Sequence, residues 1–130
     1  MNKKITNKDN AQFTLVIPFS MELWHFLVGG QKNFQKKDGR FTRAEAFDDL
    51  LERQHAAAMR DIDEPIRADI TDLTRAWQWQ RTTTATFLDT LEGFGVLTSQ
   101  KSGNSRIFRL NYTRKEKVTL GLLRNSLARF

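Results

Sequence analysis

The chain has no cysteine, and its 130 residues include only two prolines, seven glycines and two histidines. Without cysteine there is neither a disulfide scaffold nor a thiolate metal site. With so little proline and glycine, wholesale disorder is not expected. Long hydrophobic runs are also missing: the longest, Phe13–Phe19 and Leu23–Val28, fall far short of the roughly 18 residues of a membrane span. Residues 1–10 are polar and lack the apolar segment and small-residue cleavage site of a secretory signal. Neither a Gly-x-Ser-x-Gly elbow nor a Gly-rich phosphate loop occurs, so no enzyme and no cofactor are expected. What remains is one soluble basic domain over 1–130, expected in the cytoplasm and long enough to bury a single core.

The chain carries 21 Lys+Arg against 15 Asp+Glu, a formal net charge of +6. The excess is uneven: +4 over residues 1–40, −4 over 41–65, +2 over 66–112 and +4 over 113–130. A basic surface attracts polyanions such as nucleic acid or an acidic membrane leaflet. Solubilising charge is the plainer alternative.

Phe13–Phe19 is β-prone but interrupted by Pro18, so it reads as a short strand or extended lead-in to a helix over about Ser20–Val28, stopped by Gly29 and Gly30. Residues 31–40 are polar and basic and read as an exposed loop. Thr42-Arg43-Ala44-Glu45 spells a capping box. Phe47, Leu50, Leu51, Gln54 and Ala58 then follow at helical spacing as an inward face. The acidic run Asp61–Glu64 with Pro65 ends that helix as a solvated connection, a cation site being the lesser alternative. Ile66-Arg67-Ala68 is expected to be a short strand, and Asp69 to cap a helix with Ile70, Leu73, Ala76 and Trp77 inward. After a tight turn at Gln78 and Trp79, a second helix from about Arg81 turns Thr84, Phe87, Leu88 and Leu91 inward, with Gly95 at its left-handed stop. Val96–Gln100 and Ser105–Leu110 flank Lys101-Ser102-Gly103-Asn104 as a β-hairpin with a basic tip. Thr113-Arg114-Lys115-Glu116 spells a second capping box, which predicts a terminal helix over 113–130 with Leu120, Leu123, Leu127 and Phe130 on one face.

Helix, short strand, helix, tight turn, helix and hairpin in that order predict a winged helix-turn-helix: an α+β fold, mainly α, of a three-helix core over 41–112 plus a β-hairpin wing. It is extended by residues 13–40 and by the terminal helix. In that arrangement the second helix of the pair enters the DNA major groove, and the hairpin grips backbone or minor groove. The run Asp69–Thr84, with Trp77-Gln78-Trp79 at its turn, then Phe87-Leu88-Asp89-Thr90-Leu91-Glu92 and Gly95-Val96-Leu97, resembles the winged-helix module of phage and bacterial replication-initiation proteins of the DnaD type. Phe41–Leu51 is similar to the first helix of that module. The resemblance implies double-stranded DNA binding in replication initiation or transcriptional control of a phage, plasmid or mobile element. Two positions depart from it: Gln78 stands where such sequences usually carry Gly, and Gln80 where they carry a Ser cap.

The residues expected at the DNA are Gln80, Arg81, Thr82, Thr83 and Thr86 on the recognition helix, with Arg67 and Arg75 before it. Lys101, Asn104, Arg106 and Arg109 on the wing and Lys115 beyond it complete the set. Only Arg81 of the recognition helix is basic, and Asp89 lies on its outward side. Two readings therefore stand: a low-charge helix whose threonines read bases while the surrounding cations hold phosphates, or a protein-interaction winged helix within a replication complex. Trp77 is expected in the core rather than as a stacking platform for bases, while Trp79, at the turn and keeping one edge wet, stands open between packing and stacking. Glu22/His25 and Glu52/His55 both spell the Glu-x-x-His of di-iron bundles. Such a site needs single Glu residues from two further helices; the nearest candidates, Glu45 and Glu92, lie on the Glu52 helix and the recognition helix, so no metal site is expected. The terminal helix is either a core element or the seam of a homodimer reaching two half-sites.

Overall fold

A computed structural model describes residues 13–29, 39–103 and 105–116. It is an α+β structure with four helices among the described residues and two small antiparallel strand pairs, about half of it helical. The chain divides into two compact units, residues 17–112 and residues 1–16 with 113–130.

In the first unit, α1 (Met21–Val28) starts where the Ser20 hydroxyl accepts from the Leu23 N–H at 3.0 Å. The helix α2 (Arg43–Arg60) is opened by the predicted capping box, with Thr42 Oγ1 accepting from Glu45 N at 3.1 Å and Glu45 Oε1 from Thr42 N at 2.9 Å. These reciprocal bonds satisfy two of the orphan donors of the first turn. After it, Ile66 forms a single antiparallel bridge to Phe108, its N–H donating to the Phe108 carbonyl at 2.8 Å.

The helix α3 (Ile70–Trp77) is capped by Asp69, and Asp72 returns the bond as a second box. The Asp72 N–H donating to the Asp69 carboxylate holds its pKa below the usual aspartate value. A depressed pKa means the cap is intact at neutral pH and is lost only as pH falls through that lowered value. Leu73 and Trp77 are buried and Ile70 is half-buried, but Ala76, expected inward, is exposed. A helix of only eight residues packs a narrow stripe, and Ala76 lies beyond its edge.

The turn is built on Gln78 at φ 57°, ψ 44°, the left-handed region in which Cβ crowds the following carbonyl. Gly39, also at positive φ, sits against this side chain: a Cβ there would lie 2.9 Å from Gln78 Nε2. Gln78→Gly is therefore expected to stabilise the fold by about 1 kcal/mol. Urea unfolding would show a higher midpoint at an unchanged slope, and an unchanged midpoint would mean the side-chain packing offsets the strain.

The helix α4 (Arg81–Gly93) buries Thr84, Phe87, Leu88 and Leu91, the predicted stripe. It ends before Gly95 at φ 81°. The strands β2 (Leu97–Ser102) and β3 (Ser105–Leu110) pair antiparallel, Leu97 opposite Leu110 and Ser102 opposite Ser105. Lys101 and Ser102, expected in the tip, thus belong to the strand; the turn is tighter than the basic run suggested. Leu23, Leu50, Leu73, Trp77, Leu88, Leu91, Leu97, Phe108 and Leu110 form the centre of the core.

In the second unit, β1 (Phe13–Val16) pairs antiparallel with β4 (Thr113–Glu116), Phe13 opposite Glu116 and Val16 opposite Thr113. This corrects the second capping box: Thr113-Arg114-Lys115-Glu116 is a strand, not the first turn of a helix. The backbone groups of Phe13–Val16 need ladder partners, and this segment supplies them. The Arg114 guanidinium also lies 4.6 Å from the centre of the Phe13 ring, a diagonal cross-strand contact that helical geometry would remove. The rest of the predicted terminal helix, 117–130, lies outside the described residues, as do most of the loop 31–40 and Asn104.

Candidate nucleic-acid interface

The α3–turn–α4 pair is tied together at several points. The Trp77 ring is fully buried, edge-on to Trp79 (centroids 4.9 Å) and Phe87 (5.7 Å), and its Nε1–H donates to Asp49 Oδ2 at 2.8 Å. Trp79, half-buried, donates through Nε1 to the Phe41 carbonyl at 2.8 Å. Both indoles are thus used in packing, Trp77 as expected and Trp79 on the packing side of its two readings. Thr74 Oγ1 donates to the buried Thr84 hydroxyl at 2.9 Å, a bond across the two helices that fixes their crossing. The outer surface of α4 is thereby held on a rigid support.

That surface carries Arg81, Thr82, Thr83, Thr86 and Asp89, all exposed, with Gln80 exposed at the N-cap. Gln80 makes no side-chain cap bond, and the first turn holds no acidic residue. Arg81 Nη1 donates to Thr71 Oγ1 at 2.8 Å, so the cation at the head of the helix leans back onto α3.

The β2–β3 hairpin differs from expectation in its charges. Arg106 of β3 turns onto α4: Nη2 lies 3.3 Å from Asp89 Oδ1 and 3.7 Å from Glu92 Oε1 and donates to Ser99 Oγ at 2.9 Å. Ser99 in turn donates to Glu92 at 3.0 Å, and the guanidinium lies over the Phe108 ring at 5.3 Å. Arg106 is therefore a clasp between the β2–β3 hairpin and α4 rather than a cation offered outward, and Asp89 is paired rather than left as a bare outward charge. Arg109 lies 3.7 Å from Asp63 and 4.4 Å from the centre of the Tyr112 ring. Arg67 lies 2.5 Å from Glu64, which also takes Arg60 at 2.9 Å. Arg75 is only loosely near Asp72, at 3.9 Å, and is exposed, as is Lys101. Lys115 lies in the other unit, on β4.

The partners of Arg106 were not singled out from the sequence, because they depend on how the hairpin lies across α4. Elsewhere, α2 bears an acidic depression lined by Phe41, Ala44, Glu45, Asp48, Asp49 and Glu52, a surface of the wrong sign for a duplex. Phe19, Met21 and Trp24 are exposed, with Phe19 and Trp24 ring centres 6.2 Å apart. Among the described residues no group of three or more His, Cys, Asp or Glu is placed to hold a metal ion, and no helix is long and apolar enough to cross a membrane.

Comparison with known proteins finds no match: no family model, no curated protein and no solved structure corresponds to this chain.

Proposed function

We propose that this protein is a winged helix-turn-helix that binds double-stranded DNA without chemistry, α4 entering the major groove and the β2–β3 hairpin serving as the wing. The observation that carries the reading is the exposed outer face of α4, Thr82, Thr83 and Thr86 beside Arg81, on a helix fixed to α3 by a tight left-handed turn and followed at once by a hairpin. This is the arrangement in which a second helix reads base edges. Lys101, Arg75 and Arg81 are the cations best placed for phosphates, since Arg67, Arg106 and Arg109 have carboxylate partners at closer range. A role in replication initiation or transcriptional control of a phage, plasmid or mobile element rests on the DnaD-type resemblance of residues 41–112.

The test is an anisotropy titration against a pool of random duplexes over a range of salt. Binding should weaken steeply as salt rises, and Lys101→Ala should lower the slope of log K against log[salt] by about one unit. Absence of salt-sensitive binding to any duplex would overturn the reading. The pairing of Arg67, Arg106 and Arg109 and the exposed Phe19, Met21 and Trp24 favour a second reading, a winged helix that contacts proteins of a replication complex. In that case Trp24→Ser would abolish partner capture while leaving the duplex titration flat in both proteins.

A further inference from the structure

We infer that α4 selects its duplex through thymine C5-methyl groups, read by Thr82, Thr83 and Thr86; the inference rests on the DNA-binding reading above. The threonines of α4 divide by what their hydroxyls do. Thr84 is buried, donates to the Gln80 carbonyl at 3.2 Å and accepts from Thr74. Thr90 donates to the Thr86 carbonyl at 2.8 Å, the usual way a helical threonine satisfies itself. Thr82, Thr83 and Thr86 are exposed, and their hydroxyls make no hydrogen bond among the described residues. Each presents one methyl and one hydroxyl outward.

The charges beside them are drawn aside. Arg81 is turned to Thr71, and Asp89 is paired with Arg106. Beyond Arg81, the outward surface of the first half of α4 is therefore methyl and hydroxyl. Side chains one helical turn apart, as Thr82 and Thr86 are, stand about 5–6 Å apart at Cβ, so the face spans roughly two base-pair steps of about 3.4 Å.

A threonine hydroxyl bonds to donors and acceptors of any base pair and discriminates poorly, whereas its methyl gains only from another apolar group. In the major groove that group is the thymine methyl; cytosine offers an amino donor and no methyl. The discriminating part of this face is thus apolar.

The experiment takes the preferred duplex from a random pool and replaces each thymine in turn by deoxyuridine, which removes the methyl and nothing else. Loss of one contacted methyl should weaken binding about fourfold, the worth of one buried methylene-sized group, at two or three positions of the site. Thr86→Ser should bind the thymine and uracil versions of one position equally, while Thr86→Val keeps the difference. A preferred duplex indifferent to every uracil replacement, or a pool that yields no preferred sequence despite binding, overturns this inference and leaves DNA binding standing. No binding to any duplex overturns the DNA reading itself.

Discussion

Replacing Gln54 with leucine is expected to cost about 3 kcal/mol of folding stability, more than a hundredfold in the folding equilibrium, although leucine matches it closely in size. Gln54 is fully buried on α2. Its Oε1 accepts from the Leu110 N–H at 2.8 Å, and its Nε2 donates to the Glu64 carbonyl at 2.8 Å. The bridge from Ile66 to Phe108 ends the backbone ladder along that edge of β3, and the Gln54 amide takes over as the partner of the next inward N–H. Leucine would leave one buried donor and one acceptor unpaired, each costing about 1–3 kcal/mol. Denaturant unfolding of Gln54→Leu should show a lower midpoint at an unchanged slope. Gln54→Glu separates the hydrogen bonds from packing. The ionised side chain keeps the acceptor, loses the donor and buries a charge, so its folded-state pKa is raised. A raised pKa makes the loss greatest at neutral pH and smaller as pH falls, because the protonated carboxyl regains a donor. A loss independent of pH would show that the amide acts by shape alone.

The features legible in the sequence are those whose causes lie within a few residues of one another. Thr42 and Glu45 satisfy each other across one turn, and Thr84, Phe87, Leu88 and Leu91 share a face because 3.6 residues make a turn. The turn was marked only by the DnaD-type resemblance, in which Gln78 stands where Gly is usual, and Gln78 does take the left-handed conformation. Thr113–Glu116 shows the limit. Its spelling is as good a capping box as that of Thr42–Glu45, but a box states only what a helix would gain if one formed. Pairing with Phe13–Val16, a hundred residues away in the chain, offers four ordered residues on a ladder and wins. The candidate site divides in the same manner. That Thr82, Thr83 and Thr86 face outward follows from local periodicity. That Arg106 faces inward toward Asp89 and Glu92 depends on how a hairpin lies across a helix, which no local pattern specifies.

The clasp leads to the prediction with the largest expected effect on binding: Asp89→Lys should tighten duplex binding by about tenfold or more at ~50 mM salt. Asp89 is well exposed, its side chain retaining 65% of its accessible surface, so removing its ion pair with Arg106 should cost the fold less than about 1 kcal/mol. The substitution instead changes the field of α4 twice. It puts a cation on the outward side of α4, and it leaves Arg106 with Glu92 as its remaining carboxylate, at 3.7 Å, free to turn toward a phosphate. Each new phosphate contact releases about one counterion, which at that salt is worth roughly tenfold in affinity and steepens the log K against log[salt] slope by about 0.9. The single variant should therefore steepen the slope by between one and two units. The double variant Asp89→Lys with Arg106→Ala isolates the contribution of the new cation and should retain about one. Equal slopes in the single and double variants would show that Arg106 stays on the helix even when its nearer partner is gone. An unchanged affinity in both would place the Asp89 side of α4 away from the DNA, and the groove-reading surface would then be confined to the Arg81–Thr86 half of the helix.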